Sequence, residues 1–82
     1  MHLGDDMRID KLIKHMRLTC GLEQKELGRL IGKSESTISL YESGGIAVSM
    51  ETFVKIAEIC EFEVFIKDEN SDETIAIEKK DI

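Results

Sequence analysis

The stretch from Gln24 to Gly44 constrains this chain more than any other. Leu27, Leu30 and Ile31 recur at the spacing of one helix face, and Ile38 and Tyr41 lie three apart on a second segment. Gly32 stands between the two runs, where a helix must end in a left-handed conformation; a residue without Cβ adopts it at little cost. Ser34 follows as the natural N-cap of the next helix. Two helices with so short a connection must cross steeply.

The flanks extend the helical pattern. A first helix is expected from about Asp10 to Cys20, with Ile9, Leu12, Ile13, Met16 and Cys20 as one apolar stripe and Gly21 as its end. The second covers about Glu23 to Ile31 and the third about Glu35 to Ser43. After a loop from Gly44 to Val48, Ser49 caps a fourth helix whose buried stripe is Phe53, Ile56, Ala57 and Cys60. The chain then changes character. Phe62 to Ile66 is short, apolar and rich in β-formers, so it reads as a strand. Residues 68–73 form a polar turn or linker, and weak alternation over residues 74–78 marks a second candidate strand. Residues 1–8 and 79–82 lack a pattern and are expected to fray. The organisation expected is therefore a flexible N-terminus (1–8), a helical domain (9–61) and an acidic β extension (62–82). The fold class is mainly α: four helices with a short C-terminal strand or hairpin.

Eighty-two residues make one small domain, and such a chain buries a modest fraction of its surface, so dimerisation is a reasonable stabilising device. No apolar run approaches a membrane span and no signal peptide is visible, so a cytoplasmic setting is expected and no membrane partner. In a reducing compartment Cys20 and Cys60 are expected to be buried free thiols. Two Cys and two His with no close pair do not make a metal site; His2 falls in the terminus and His15 on the expected solvent side of the first helix. There is no Gly-rich phosphate loop and no nucleophile–base arrangement, so neither an enzyme nor a cofactor is expected. The net charge of −6 is unevenly placed. Residues 1–44 carry seven Lys or Arg against seven Asp or Glu, whereas residues 45–82 carry four against ten. The negative charge thus lies outside the two-helix unit.

Gln24, the small Gly28, the turn at Gly32, the anchor Ile38 and the closing Tyr41-Glu42-x-Gly44 together resemble the DNA-binding domain of the Xre/Cro/cI repressor family. The likeness begins at Arg17-x-x-x-Gly21-Leu22 and continues to about Ile59. It implies a lambda-repressor-like helix-turn-helix domain that sets its third helix in the DNA major groove. By that resemblance Gln24 contacts a phosphate, and Ser34, Glu35, Ser36, Ser39 and Leu40 face the groove. Ser36 can pair with several base edges; Glu35 can accept from a cytosine amine, or serve only the helix dipole; Leu40 can press on a thymine methyl. Lys33 in the turn is the best phosphate cation, and Ser43 with loop N–H groups the only other clamp after the third helix. Lys11, Lys14, Lys25 and Arg29 read better as a solvated face. Arg17 and Glu42 match a pair that the family buries as a structural salt bridge. Three departures stand out. The third helix lacks Arg, Gln and Asn, the side chains that make bidentate base contacts, and the following loop lacks cations. Glu23 also stands where the family usually has a Ser or Thr cap, which should weaken that cap.

A strand directly after the fourth helix resembles a second group, the antitoxins of Hip-type toxin–antitoxin pairs, whose C-terminal strands pair across a dimer. Phe62, Val64, Phe65 and Ile66 are then the dimerisation residues, and a toxin protein is a candidate second partner. The function these resemblances imply is a dimeric, sequence-specific transcriptional regulator acting as a repressor on a palindromic double-stranded operator, nucleoid-associated when bound. An autoregulating antitoxin and a mobile-element repressor are its two forms. The competing reading is a protein-interaction module of the same shape with little DNA affinity.

Overall fold

A computed structural model describes residues 8–82; the fraying expected for residues 1–7, and His2 with it, lies outside them. The element order is α1 (Ile9–Thr19), α2 (Gln24–Ile31), α3 (Glu35–Ser43), α4 (Met50–Ile59), β1 (Val64–Lys67), β2 (Thr74–Ile77) and a 3-10 turn at Lys79–Asp81. The class is mainly helical with a small antiparallel hairpin, a lambda-repressor-like arrangement.

Three helix starts and the end of α2 have local causes. Ser34 Oγ accepts the Thr37 N–H at 3.1 Å, and Ser49 Oγ accepts the Thr52 N–H at 3.1 Å. Glu23 replaces the usual hydroxyl cap, yet its own N–H donates to Glu26 Oε1 at 3.1 Å, so the first turn of α2 is closed from the other side. Gly32 ends α2 at φ 73°. Gly28 is needed for a different reason. A Cβ there would stand 2.6 Å from the Lys33 carbonyl oxygen, so only glycine lets α2 approach the turn this closely.

Ile13, Met16, Leu27, Ile31, Ile38, Tyr41, Ile56, Ala57 and Cys60 form one buried cluster among all four helices. The stripes differ from the sequence expectation at four places. Ile9 is 49% exposed, because it opens α1 beyond the cover of its neighbours, and Leu30 is 44% exposed, because eight-residue α2 turns only Leu27, Gly28 and Ile31 fully inward. On α4 Val54 is fully buried while Phe53 is only half-buried. A stripe drawn for one-sided packing was too narrow: Val54, Ala57, Phe62, Val64 and Ile77 line one cleft of about 160 Å³, so the hairpin covers a second side of α4. His15 is not a solvent residue; it is half-buried, with its ring edge-to-face against Phe62 at 6.1 Å.

The hairpin pairs Val64 with Ile77, Phe65 with Ala76, Ile66 with Ile75 and Lys67 with Thr74. Its first strand begins at Val64 rather than Phe62, since Phe62 is spent closing α4: its N–H returns to the Ala57 carbonyl at 2.7 Å. Residues 79–81 do not fray but form a 3-10 turn, and the Lys79 N–H donates to Glu58 Oε2 at 3.2 Å, tying the tail to α4. Among the described residues no helix is long and apolar enough to cross a membrane.

Candidate nucleic-acid interface

Helix α3 divides by periodicity. Ile38 and Tyr41 point inward, at 0% and 7% exposure, and fix the helix to the core. Glu35, Ser36, Ser39, Leu40 and Ser43 share the opposite side and are all exposed. Leu40, at 43% exposure, is an apolar side chain without burial in the middle of that polar face. Two of the hydroxyls are already engaged. Ser34 serves the cap and shares a hydrogen bond with Thr37 Oγ1 at 2.9 Å, and Ser43 Oγ donates to the Leu40 carbonyl at 3.3 Å. Among the described residues Ser36 and Ser39 find no side-chain hydrogen-bond partner, and both are exposed. Lys33 is exposed in the turn at the N-terminal end of the same face.

Behind α3 lies a charged network. Arg17 Nε donates to Glu42 Oε2 at 2.6 Å and Arg17 Nη2 donates to Glu42 Oε1 at 3.0 Å, a bidentate pair between α1 and the last turn of α3. The two side chains are 9% and 4% exposed. Arg17 Nη1 donates to the Leu22 carbonyl at 2.9 Å, and Gln24 Nε2 donates to Glu42 Oε1 at 3.1 Å. The hydrogen-bonded Glu42 carboxylate holds the Arg17 guanidinium above its ordinary pKa. Gln24 is therefore positioned at the start of α2 by the carboxylate that orients Arg17. The network has no vacant coordination geometry and no reacting group; its chemistry is to lock three helices.

The loop after α3 is less bare than the sequence implied. Arg8, assigned there to a fraying end, stands at the N-cap of α1 and pairs with Asp10, Nη2 to Oδ2 at 2.9 Å. That hydrogen bond holds the Asp10 carboxyl below the usual carboxylate range. The pair lies against Gly44: a Cβ there would stand 2.8 Å from Asp10 Oδ2 and 3.0 Å from Arg8 Nη2. Arg8, Asp10, Tyr41, Gly44, Ile46 and Val48 line a shallow cleft of about 420 Å³ at the C-terminal end of α3. The only sequence sign of this was the Arg-x-Asp spacing at the helix start.

The remaining candidates lie on the hairpin and beside α1 and α4. Phe65 and Ile66 of β1 are 53% and 58% exposed, and Ile75 of β2 is 66% exposed. Phe62 and Val64 are half-buried and line, with Leu12, His15, Met16, Phe53 and Phe65, an open apolar groove of about 500 Å³. A family model described as Helix-turn-helix matches residues 13–64, more than half of the chain. No curated protein matches.

Proposed function

The chain belongs to the Xre/cI-type helix-turn-helix family of DNA-binding transcription regulators, and on that premise we propose that it is a dimeric repressor of a roughly palindromic operator. One recognition helix enters each of two major grooves about one helical turn apart. The observation that carries this reading is the division of α3: a buried Ile38–Tyr41 side and an exposed side of Glu35, Ser36, Ser39 and Leu40. Ser36 and Ser39 pair with base edges, Leu40 packs on a thymine methyl, and Glu35 accepts from a cytosine amine. Gln24, Lys33, the capping Ser34 and Ser43 hold the backbone, with help from the N–H groups that open α2. Arg8 supplies the loop with the cation that residues 44–48 lack. The acidic residues of the C-terminal half lie outside this face in sequence, so non-specific binding is weak and operator binding depends on fit.

The dimer is built by the C-terminal extension. Phe62, Val64, Phe65 and Ile66 supply it, because among the described residues β1 pairs on one edge only and its exposed apolar side chains border the groove between α1 and α4. An autoregulating antitoxin with a toxin protein as second partner, or a mobile-element repressor, fits this architecture. The competing reading, a protein-interaction module, draws on the absence of Arg, Gln and Asn from α3. Selection of bound DNA from a random pool separates the two. The repressor reading expects an enriched inverted repeat with half-site centres about 10 base pairs apart. Recovery of no enriched sequence overturns it in favour of the interaction module.

A further inference from the structure

Helices α1 and α4 end in the same way. Cys20-Gly21-Leu22 and Cys60-Glu61-Phe62 each place a cysteine at the C-cap and a left-handed residue after it, φ 77° at Gly21 and 62° at Glu61. In each, an apolar residue then returns its N–H to a carbonyl five residues back: Leu22 to Arg17 at 3.1 Å and Phe62 to Ala57 at 2.7 Å. The matched endings bring the two sulfurs together. Cys20 Sγ stands 2.7 Å from Cys60 Sγ, across 40 residues of sequence. Both are free thiols; Cys60 is 5% exposed and Cys20 half-buried. A disulfide needs about 2.05 Å between its sulfurs, about 0.7 Å less than they stand apart.

We propose that Cys20 and Cys60 form a reversible intrachain disulfide, made by exchange with a small-molecule disulfide of the glutathione type, which staples the helix-turn-helix unit shut. The Cys20 thiolate, on the accessible side, attacks a sulfur of the oxidised small molecule. One small thiolate leaves and Cys20 carries a mixed disulfide. Cys60 then attacks the Cys20 sulfur and loses its proton to solvent, and the second small thiol departs. The small disulfide is reduced to two thiols and the protein dithiol is oxidised by two electrons, so the exchange balances. Burial pushes the Cys60 thiol up to about 12, so little of it is thiolate and its attack relies on the sulfur it already touches.

The bridge encloses residues 21–59, which include the whole of α2 and α3, and so restricts the unfolded chain around the reading unit. Oxidation leaves no buried acceptor orphaned. Cys20 Sγ donates to the Arg17 carbonyl at 3.5 Å, but that oxygen also accepts the Leu22 N–H. A domain this small, with ten buried apolar residues among those described, is one for which a covalent staple matters. The bridge forms whatever α3 binds.

The test uses the full chain, reduced and then equilibrated with excess oxidised glutathione. Thiols are titrated in denaturant, chain linkage is read on a non-reducing gel, and melting is followed by circular dichroism. The expected product is an unlinked single chain with no titratable thiol, melting about 10–20 °C above the dithiol form. Cys60→Ala should retain a glutathione adduct on Cys20, and Cys20→Ala should leave Cys60 unmodified while folded. A chain that keeps both thiols, cross-links to another chain, or gains the bridge without a rise in melting temperature overturns the proposal.

Discussion

Replacing Arg17 with methionine removes three charge-assisted hydrogen bonds, two to Glu42 and one to the Leu22 carbonyl. The Glu42 carboxylate is left 4% exposed, with Gln24 Nε2 at 3.1 Å as its one remaining side-chain donor. An uncompensated buried charge of this kind costs about 3–5 kcal/mol. An 82-residue domain has a total stability of only about 4–12 kcal/mol, at about 0.05–0.15 kcal/mol per residue. With a urea m-value of about 1 kcal/mol/M, the midpoint of Arg17→Met should fall by about 3 M or more, towards unfolding in plain buffer. The double change Arg17→Met with Glu42→Leu removes the stranded charge. Its residual deficit comes from the Leu22 carbonyl and the Gln24 amide, each losing a bond worth about 0.5–1.5 kcal/mol, and both residues are only half-buried, so water replaces part of it. The double mutant should therefore recover at least about 2 kcal/mol over Arg17→Met in equilibrium urea unfolding. A double mutant as unstable as the worse single would refute the reasoning, because removing the stranded charge would then have recovered nothing.

Three further outcomes follow from other parts of the structure. Ser36→Ala should change the preferred base in each half-site, whereas Lys33→Ala and Arg8→Ala should each weaken all sequences alike and lower the salt slope by about one; fluorescence anisotropy across a salt series checks both, and unchanged slopes would move the phosphate contacts elsewhere. Glu61 is the one described non-glycine residue with positive φ, so Glu61→Gly should stabilise the domain by about 1 kcal/mol, and a lower melting temperature would show that its side chain makes a contact of greater worth. Burial raises the Cys60 thiol from its ordinary 9.0 to about 12, so the reduced fold binds this proton more tightly than the unfolded chain does. That contribution is complete below pH 9 and is lost as pH rises towards 12, so reduced protein should lose stability across this window more steeply than Cys60→Ala; parallel curves would contradict it.

What could be read from the residues alone was the part governed by short-range rules. Gly32, Ser34 and Ser49 act through contacts within four residues, so the α2–α3 turn and two helix starts were visible as spacing. The hairpin was visible as β-formers on either side of a polar turn. Cover was not visible. Val54 is buried because a hairpin that begins ten residues later lies over it, and Ile9 stays 49% exposed because its described neighbours cover only part of it. Periodicity names a helix face but not how wide a face its neighbours will hide. The same limit hid Arg8, whose position depends on Gly44 admitting the Arg8–Asp10 pair, and the meeting of Cys20 with Cys60, which depends on two helices ending alike. Arg17 and Glu42 were suggested by likeness to a family; the Gln24 bond to the same carboxylate was not, because a glutamine at a helix start reads as a ligand contact before it reads as part of a network.

That shared carboxylate gives the fold its logic. Glu42 sits in the last turn of α3, takes two bonds from α1 through Arg17 and one from α2 through Gln24. Apolar packing by Ile38 and Tyr41 holds α3 to the core, but apolar contacts are non-directional and permit small rotations about the helix axis. A bidentate pair has one preferred geometry and resists them. The core thus supplies affinity between the helices and the ion pair supplies angle. The angle matters because a rotation of α3 that the core would tolerate would carry Ser36 and Ser39 away from whatever they face. Because Gln24 shares the anchor, the start of α2 and the exposed side of α3 move as one unit, and a surface with few long polar side chains depends on that fixity more than one with flexible arginines would.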